Sequence, residues 1–532
     1  MPPSRTTRSS AKRPTRAATR KRAASPPPAP PPKRRAPAKP KAAPKSKPKP
    51  TVDQEKVPKP TRRPRRPPPR SVDRAAVPSS RSFTARQRDL PTVNPLPAPP
   101  LRERPCWQLF GWGPDNKDGP MGTGDEFPSE KPKRSKVVEK LIEDGEFGLN
   151  GAGLVSIAAG GFFSLMVDEV GQVWSFGNNE VGQLGRTTVK NKDGVEIDSA
   201  TSIPLHTPVR IRCLTDEFFR AVKVAAGSCI AAALNDRGEL RVWGAYYYPQ
   251  NSGGDKFMFS PQLDHQPSPV AVPELAGERF ADVAAGANHL VLLTVHGDVY
   301  TIGQGADGQL GHKVPKATPT AGTVPYKVLR ANAGHRAVAI GAVNDSSFFV
   351  DQTGDVWAWG LNGYGQTGTG TRQNVLWYPH RVKGVGRKDL GGEASVVQIA
   401  GGDRHTLFLV SDGRVFACGN AEDGQFSLPN TNGGDVDGAR VSVPVLVEFP
   451  HDVKEDPIVK IGSSNRMSAA VTRDGVLYTW GLNSEGLLGT EVDSPDDIIR
   501  TPKVVVRREG SWLTKAVSCG GQHCLALLRK KP

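Results

Sequence analysis

Between residues 155 and 176 the chain places short apolar runs on either side of a tight polar turn: VSIAAGG, FSLMV, the turn DEVG, then QVWSF. Short alternating or apolar runs bounded by turn residues predict β-strands. A four-residue connection ending in glycine predicts a hairpin, because its last position calls for a positive φ. The same order returns with the turns NDRG at 235, TVHG at 294, DQTG at 351, VSDG at 410 and TRDG at 472. The stretch GQVWSFGNNEVGQLG (171–185) is echoed by GDVYTIGQGADGQLG at 297, GDVWAWGLNGYGQTG at 354 and GVLYTWGLNSEGLLG at 475. GRVFACGNAEDGQFS at 413 is a degraded copy, and GELRVWGAYYYPQN at 238 departs after its glycine. Self-similarity at a fixed period is the signature of a repeat architecture.

The glycine six positions after each hairpin glycine falls at 177, 244, 303, 360, 419 and 481, a period that accommodates about four short strands per unit. Helical periodicity is nearly absent, so a helical solenoid is disfavoured. Four-stranded units arranged radially bury both faces of every sheet, which predicts an all-β, seven-bladed β-propeller over 101–532. The seventh unit is split: KAVSCGGQHCLALL (515–528) supplies its inner part, and CWQLFGWG (106–113) is expected as its outer strand. Closure by strands from both ends of the repeat region would remove the open edge of the ring.

Charge divides the chain differently. Residues 1–100 hold 27 Lys and Arg against 4 Asp and Glu, and 26 of the 49 prolines, whereas the remainder is net −5. So basic and apolar-poor a segment cannot offset its ordering entropy, which predicts a disordered tail over 1–100. Its clusters, Arg20, Lys21, Arg22, then Lys33, Arg34, Arg35, then Arg62, Arg63, Arg65, Arg66, suit nuclear import receptors and nucleic-acid phosphates. No apolar run approaches membrane-spanning length, so no membrane partner is expected. Six cysteines without Cys-x-x-Cys spacing predict neither a zinc site nor a disulfide framework, which suits a reducing compartment.

Catalytic motifs are lacking. Gly303-x-Gly305-x-x-Gly308 matches the dinucleotide fingerprint by letter but opens no predicted helix, so no cofactor is expected. There is no phosphate-binding Gly-x-x-x-x-Gly-Lys-Ser/Thr loop, no His-Glu-x-x-His and no Gly-x-Ser-x-Gly. Bond-making chemistry, a metal site and catalytic residues are therefore not expected.

The G-Q-L-G strings (182–185 and 308–311) and the elements AAGANHL (284–290), AGGDRHT (400–406) and CGGQHCL (519–525) resemble the regulator of chromosome condensation family, whose members are seven-bladed propellers. The resemblance covers about 106–530. It implies guanine nucleotide exchange on the small GTPase Ran, at chromatin in the nucleus, in support of nucleocytoplasmic transport and mitosis. It further implies a β-wedge at the insertion AYYYPQNSGGDKFMFSPQ, with Gly253, Gly254, Asp255, Lys256, Phe257 and Phe259 against the GTPase. Asn288 and His405 match the family's polar GTPase contacts, Asn288 standing where the animal protein has aspartate. The long loop from His312 to Arg336 falls where the family carries a nucleosome-contacting loop, making Arg330 and Arg336 candidate histone contacts. A propeller scaffold without exchange activity is the alternative, with the insertion as a surface hairpin.

Overall fold

The computed structural model describes residues 91–114, 119–123, 129–250, 254–315, 322–329, 335–426, 436–437, 440–490 and 498–531; the side chains of 247–257, 436–437 and 485 lie outside the description. The tail clusters at 20–22, 33–35 and 62–66, and also Gly253 and Arg330, fall outside the described residues.

Seven antiparallel sheets form the blades of a β-propeller. Their first strands, in chain order, are Leu154–Ala159, Ala221–Ala226, Phe280–Ala285, Ala337–Val343, Val396–Gly401, Ile458–Ser464 and Trp512–Cys519. These open blades 1 to 7, and each continues into a second strand through the small-residue loop read from the sequence. The turn glycines occupy the left-handed region, as at Gly171 (φ 89°) and Gly354 (φ 83°).

Burial lies between blades. Leu165 and Phe163 of blade 1 pack with Ala231 and Trp243 of blade 2, and Phe348 of blade 4 packs with Phe408 of blade 5. Leu407 of blade 5 meets Trp480 of blade 6 in the same manner. The G-Q-L-G glycines serve this junction. A Cβ on Gly185 (φ 67°) would come within 2.9 Å of the Trp243 indole nitrogen in the next blade. The indole N–H in turn donates to the Gln183 carbonyl at 2.9 Å. Trp359 repeats the bond to Gln309 at 2.8 Å, Trp480 to Gln425 at 2.6 Å, and Trp112 to Leu487 at 2.9 Å. Each such indole fastens its blade to the one before it.

Blade 7 is assembled from both ends. Gln108–Gly113 pairs antiparallel with Cys524–Lys530, setting Gln108 opposite Leu528 and Trp112 opposite Cys524. The expected closure is present, but 106–113 does not hold the outermost strand: Ser129–Arg134 lies outside it, so each end contributes two strands. The outer strand, SEKPKR, reads as a loop because lysine and proline mask it; an edge position tolerates both.

Disorder is expected over 1–100, but residues 91–100 are placed in the structure. Residues 91–96 lie against the hairpin turns of blades 2 and 3 and the start of the first strand of blade 4. Val93 and Asn94 backbone N–H groups donate to the Val295 carbonyl at 3.0 and 3.1 Å. The buried Asn94 amide donates to Thr294 at 3.1 Å and Ala337 at 3.0 Å, joining blades 3 and 4. Arg336, expected as a histone contact, is buried, and its Nη1 donates to the Pro91 carbonyl at 2.8 Å. It belongs to this strap and not to an outer surface. Tyr326–Leu329, within the expected loop, is the outer strand of blade 3.

Candidate partner-binding face at the channel mouth

The loops between first and second strands converge at one end of the central channel. Neighbouring loops bond through their backbones: Ser228 N–H to Ala287 at 2.7 Å, Ala287 to Asn344 at 2.8 Å, Asp403 to Asn465 at 2.9 Å and Gly521 to Gly160 at 2.9 Å. So close an approach explains the small residues there, since a Cβ on Gly160 would lie 2.8 Å from the Gly227 carbonyl. The mouth they enclose is a shallow cavity of about 140 Å³.

One residue beyond this ring, Phe162, Cys229, Asn288, Asp345, Arg404, Arg466 and Gln522 occupy equivalent places in blades 1 to 7. In six of the blades the carbonyl of this residue accepts the N–H that follows the blade glycine, as Asn288 accepts from Gln304 at 2.8 Å and Arg404 from Asn420 at 2.8 Å. That bond holds the residue at the rim. The following residue turns inward: Phe163, Ile230, His289, Ser346, His405, Met467 and His523 are all buried.

This alternation separates the two polar candidates. Asn288 stands at the rim, half-buried, with its Oδ1 unpartnered. His405, expected as a GTPase contact, is fully buried, and its Nε2 lies 2.9 Å from both Ser468 Oγ and Ser463 Oγ of blade 6. His289 meets Ser347 at 2.7 Å and His523 meets Ser164 at 2.7 Å, each across a blade junction. The serine hydroxyls donate onward, Ser347 to Gln309 at 2.8 Å, Ser164 to Pro120 at 2.6 Å and Ser463 to Met467 at 2.8 Å, so each histidine Nε2 carries the donated hydrogen. Nδ1 is then bare and unpartnered in all three, and burial holds each ring at a pKa of about 3. His405 is thus a neutral latch between blades 5 and 6.

The neighbouring Arg404 takes the rim position that the sequence reading gave to His405. Its guanidinium lies over the Tyr364 ring at 4.7 Å, and Arg466 is 3.6 Å from Asp423. Opposite charge faces them. Burial, reinforced by Asp307 and Asp403, pushes the Asp345 carboxyl up to about 6, and Gln309 donates to it at 3.3 Å. Arg404 could have been found by noting that strand alternation puts adjacent residues on opposite sides.

The insertion begins on the same face. Ala245 N–H donates to the Cys229 rim carbonyl at 3.0 Å, and the chain then forms the two-stranded hairpin Tyr246–Gln250 with Gly254–Met258. Tyr247 stands opposite Phe257, Tyr248 opposite Lys256 and Pro249 opposite Asp255, with Gln250 and Gly254 closing toward the turn. Tyr246 is fully buried and stacks on Phe259 at 5.9 Å, both within the junction between blades 2 and 3. Phe259, expected as an inserting residue, instead anchors the hairpin base. Gly305 and Gly308 of the letter-matched fingerprint lie in a turn with no helix after it, and Gly308 abuts Val375 of blade 4. Among the described residues no group of His, Cys, Asp and Glu is arranged to hold a metal ion, and all six cysteines are free.

Comparison with known proteins places the fold in context. The family described as RCC1-like domain matches residues 108–526. The chain belongs to that family. The human regulator of chromosome condensation is 29% identical over 399 residues, covering 71% of this chain and 83% of its own. The guanine nucleotide exchange factor SRM1 of Saccharomyces cerevisiae is 26% identical, covering 79% of this chain and 86% of its own. The crystal structure of Prp20p from Saccharomyces cerevisiae, described with its binding to Gsp1p and histones, superposes with a TM-score of 0.66 at 24% identity, over 84% of this chain and 95% of that one.

Proposed function

We propose that this protein is a guanine nucleotide exchange factor for a Ran-type small GTPase, acting at chromatin in the nucleus. The observation that carries the reading is the hairpin 246–258, which leaves its blade at the channel mouth beside the rim that presents Asn288. Family membership and the exchange factor among its relatives support it.

Exchange of this kind makes and breaks no covalent bond. A protein that binds the nucleotide-free GTPase more tightly than the loaded one lowers nucleotide affinity by the same factor, because the coupling is reciprocal. Residues Gly253, Gly254, Asp255, Lys256 and Phe257 form the part of the hairpin that would press on the GTPase. Tyr246 and Phe259 hold its base rigid. Arg404 and Arg466 lie near Asp403, and Asp403 near Asp345 and Asp307, so the face carries charges of both signs that would orient a partner. The tail clusters at 20–22, 33–35 and 62–66 would hold nucleosomal DNA and import receptors, and Arg330 would reach an acidic histone surface.

The test is release of fluorescently labelled GDP from Ran, with the full chain and with a variant in which residues 250–257 become a short Gly-Ser turn. The full chain should accelerate release, and the variant should lose that acceleration while unfolding at the same urea concentration. A full chain that leaves release at its intrinsic rate refutes the exchange reading. Undiminished exchange by the folded variant removes the wedge role from the hairpin.

A further inference from the structure

Two cysteines face each other at the tip of blade 7. Trp512–Cys519 and Cys524–Lys530 pair antiparallel, and Cys519 stands directly opposite Cys524 as the last pair of the ladder before the loop. Within that loop the Gly520 N–H donates to the His523 carbonyl at 2.8 Å. Hydrogen-bonded and non-hydrogen-bonded pairs alternate along an antiparallel ladder, so Cys519 and Cys524 form a non-hydrogen-bonded pair. Such a pair sets its Cα atoms about 4.5 Å apart with both side chains on one face, and a disulfide spans Cα separations of roughly 4.4 to 6.8 Å. Cys418, in a strand of blade 5, stands opposite Thr406 and has no such counterpart.

Both side chains enter the junction with blade 6. Cys524 is buried in a cluster with Trp112, Met467 and Leu487, and Cys519 packs against the same cluster. The two thiols differ in access: Cys519 is half-buried and lines the cavity at the channel mouth, whereas Cys524 is fully buried. Burial and the neighbouring Cys519 sulfur push the Cys524 thiol well above the ordinary thiol range, so it stays protonated. Its Sγ lies 3.4 Å from Met467 Sδ and 3.6 Å from the Leu487 carbonyl, weak sulfur contacts that a turn of the side chain gives up at little cost.

We propose that Cys519 and Cys524 are a peroxide-reactive pair that closes to a reversible cross-strand disulfide, with Cys519 as the attacking thiol and Cys524 as the resolving one. The Cys519 thiolate attacks one oxygen of hydrogen peroxide, the O–O bond breaks, and the departing hydroxide takes up the thiol proton to leave as water. Cys519 is then a sulfenic acid. The Cys524 sulfur attacks it, the S–O bond breaks, and the second hydroxide leaves as water with the Cys524 proton. Two thiols are oxidised by two electrons in all, and one peroxide is reduced to two waters. In a reducing compartment such a bond is transient, and thiol exchange reopens it. The closed bond staples the loop whose Gly520 and Gly521 carbonyls accept from the Ser464 hydroxyl and the Asn465 amide of blade 6, the junction next to the one where the ring closes. The chemistry needs no GTPase and is independent of the exchange reading.

Brief exposure of the reduced full chain to hydrogen peroxide, followed by blocking of the remaining thiols and tryptic mapping, tests the pair. Cleavage after Lys515 and Arg529 leaves both cysteines in one peptide, residues 516–529. In the wild type that peptide should lose two hydrogen masses and regain them on reduction with dithiothreitol. Cys524→Ala should show no such loss and should instead hold a Cys519 sulfenic acid that dimedone traps, while Cys519→Ala should leave Cys524 unoxidised; tryptophan fluorescence checks that both variants are folded. The wild-type peptide decides the matter without either variant. Retention of both thiols while the half-buried Cys213 or Cys229 oxidises overturns the proposal. So does uptake of oxygen by Cys519 without loss of hydrogen, or a disulfide that joins Cys519 to a second chain.

Discussion

Replacing His405 by methionine, the residue at the equivalent place in blade 6, should flatten the acid dependence of the propeller's stability. In the folded chain the His405 ring is neutral, with Nε2 donating to Ser468 and Ser463 and Nδ1 buried without an acceptor. Its pKa of about 3 lies far below the ordinary 6.5 of the unfolded chain. Below pH 6.5 the unfolded chain therefore takes up a proton that the folded chain refuses. The stability this ring confers is complete above pH 6.5 and drains away as the pH falls toward 3. Each pH unit in that window costs about 1.4 kcal/mol per histidine, so from pH 7 to 5 one ring costs about 2 kcal/mol. His289 and His523 share the geometry, and the three together cost about 6 kcal/mol over that interval, comparable to the whole stability of many domains. Asp345, with its carboxyl raised to about 6, acts in the opposite sense in both proteins and cancels in the comparison. Urea unfolding followed by tryptophan fluorescence at pH 7 and 5 measures the difference. The wild type should lose about 2 kcal/mol more than His405→Met between those pH values. An equal loss in the two proteins would refute the neutral latch.

Two further outcomes follow from the strap and the tail. Asn94→Ala removes two buried hydrogen bonds and leaves the Thr294 and Ala337 carbonyls without that donor, so urea denaturation should show a loss of about 1–3 kcal/mol, with nucleotide exchange unchanged; no loss would mean that the strap is not held through Asn94. Binding of the full chain to duplex DNA should weaken steeply with salt, with a slope of roughly −5 to −9 in log affinity against log salt, and a chain beginning at residue 91 should lose most of that slope. A truncated chain that keeps both affinity and slope would place the DNA contacts on the propeller.

The repeat was legible because each blade must solve the same packing problem with the same residues. The G-Q-L-G glycines stand out in the sequence for the reason the structure shows, that an indole and an outer strand of the next blade lie against them. Closure was legible through the Trp-bearing run at 106–113, but the strand Ser129–Arg134 was not, since its conformation comes from pairing with a neighbour rather than from its own composition. His405, expected at the partner-binding face, is instead turned into the junction between blades 5 and 6. A histidine invites a chemical role, yet the residue before it, Arg404, is the one the strand turns toward the rim. Likewise Phe259 advertises apolar insertion, and only the stack on Tyr246 shows that part of its apolar surface is packed within the molecule. The docked strap left one trace in the sequence. Residues 90–100 are free of charge, in contrast to the basic chain before them, and that neutral stretch contains the portion that meets the propeller.

Blade 7 also sets a schedule for synthesis. Its two outer strands, Gln108–Gly113 and Ser129–Arg134, leave the ribosome well before the strand that receives them, Cys524–Lys530. About 390 residues separate Arg134 from Cys524, and at ordinary rates of elongation that delay is roughly 20 to 80 s. Throughout it Leu109, Phe110 and Trp112, buried in the finished ring, lack the inner strand Cys524–Lys530 that pairs with theirs. Blades 1 to 6 can complete their sheets as they emerge, but the ring stays open until Cys524–Lys530 has been made. Until then the nascent chain must keep an apolar edge out of mischief, a load that falls on chaperones rather than on the folded architecture.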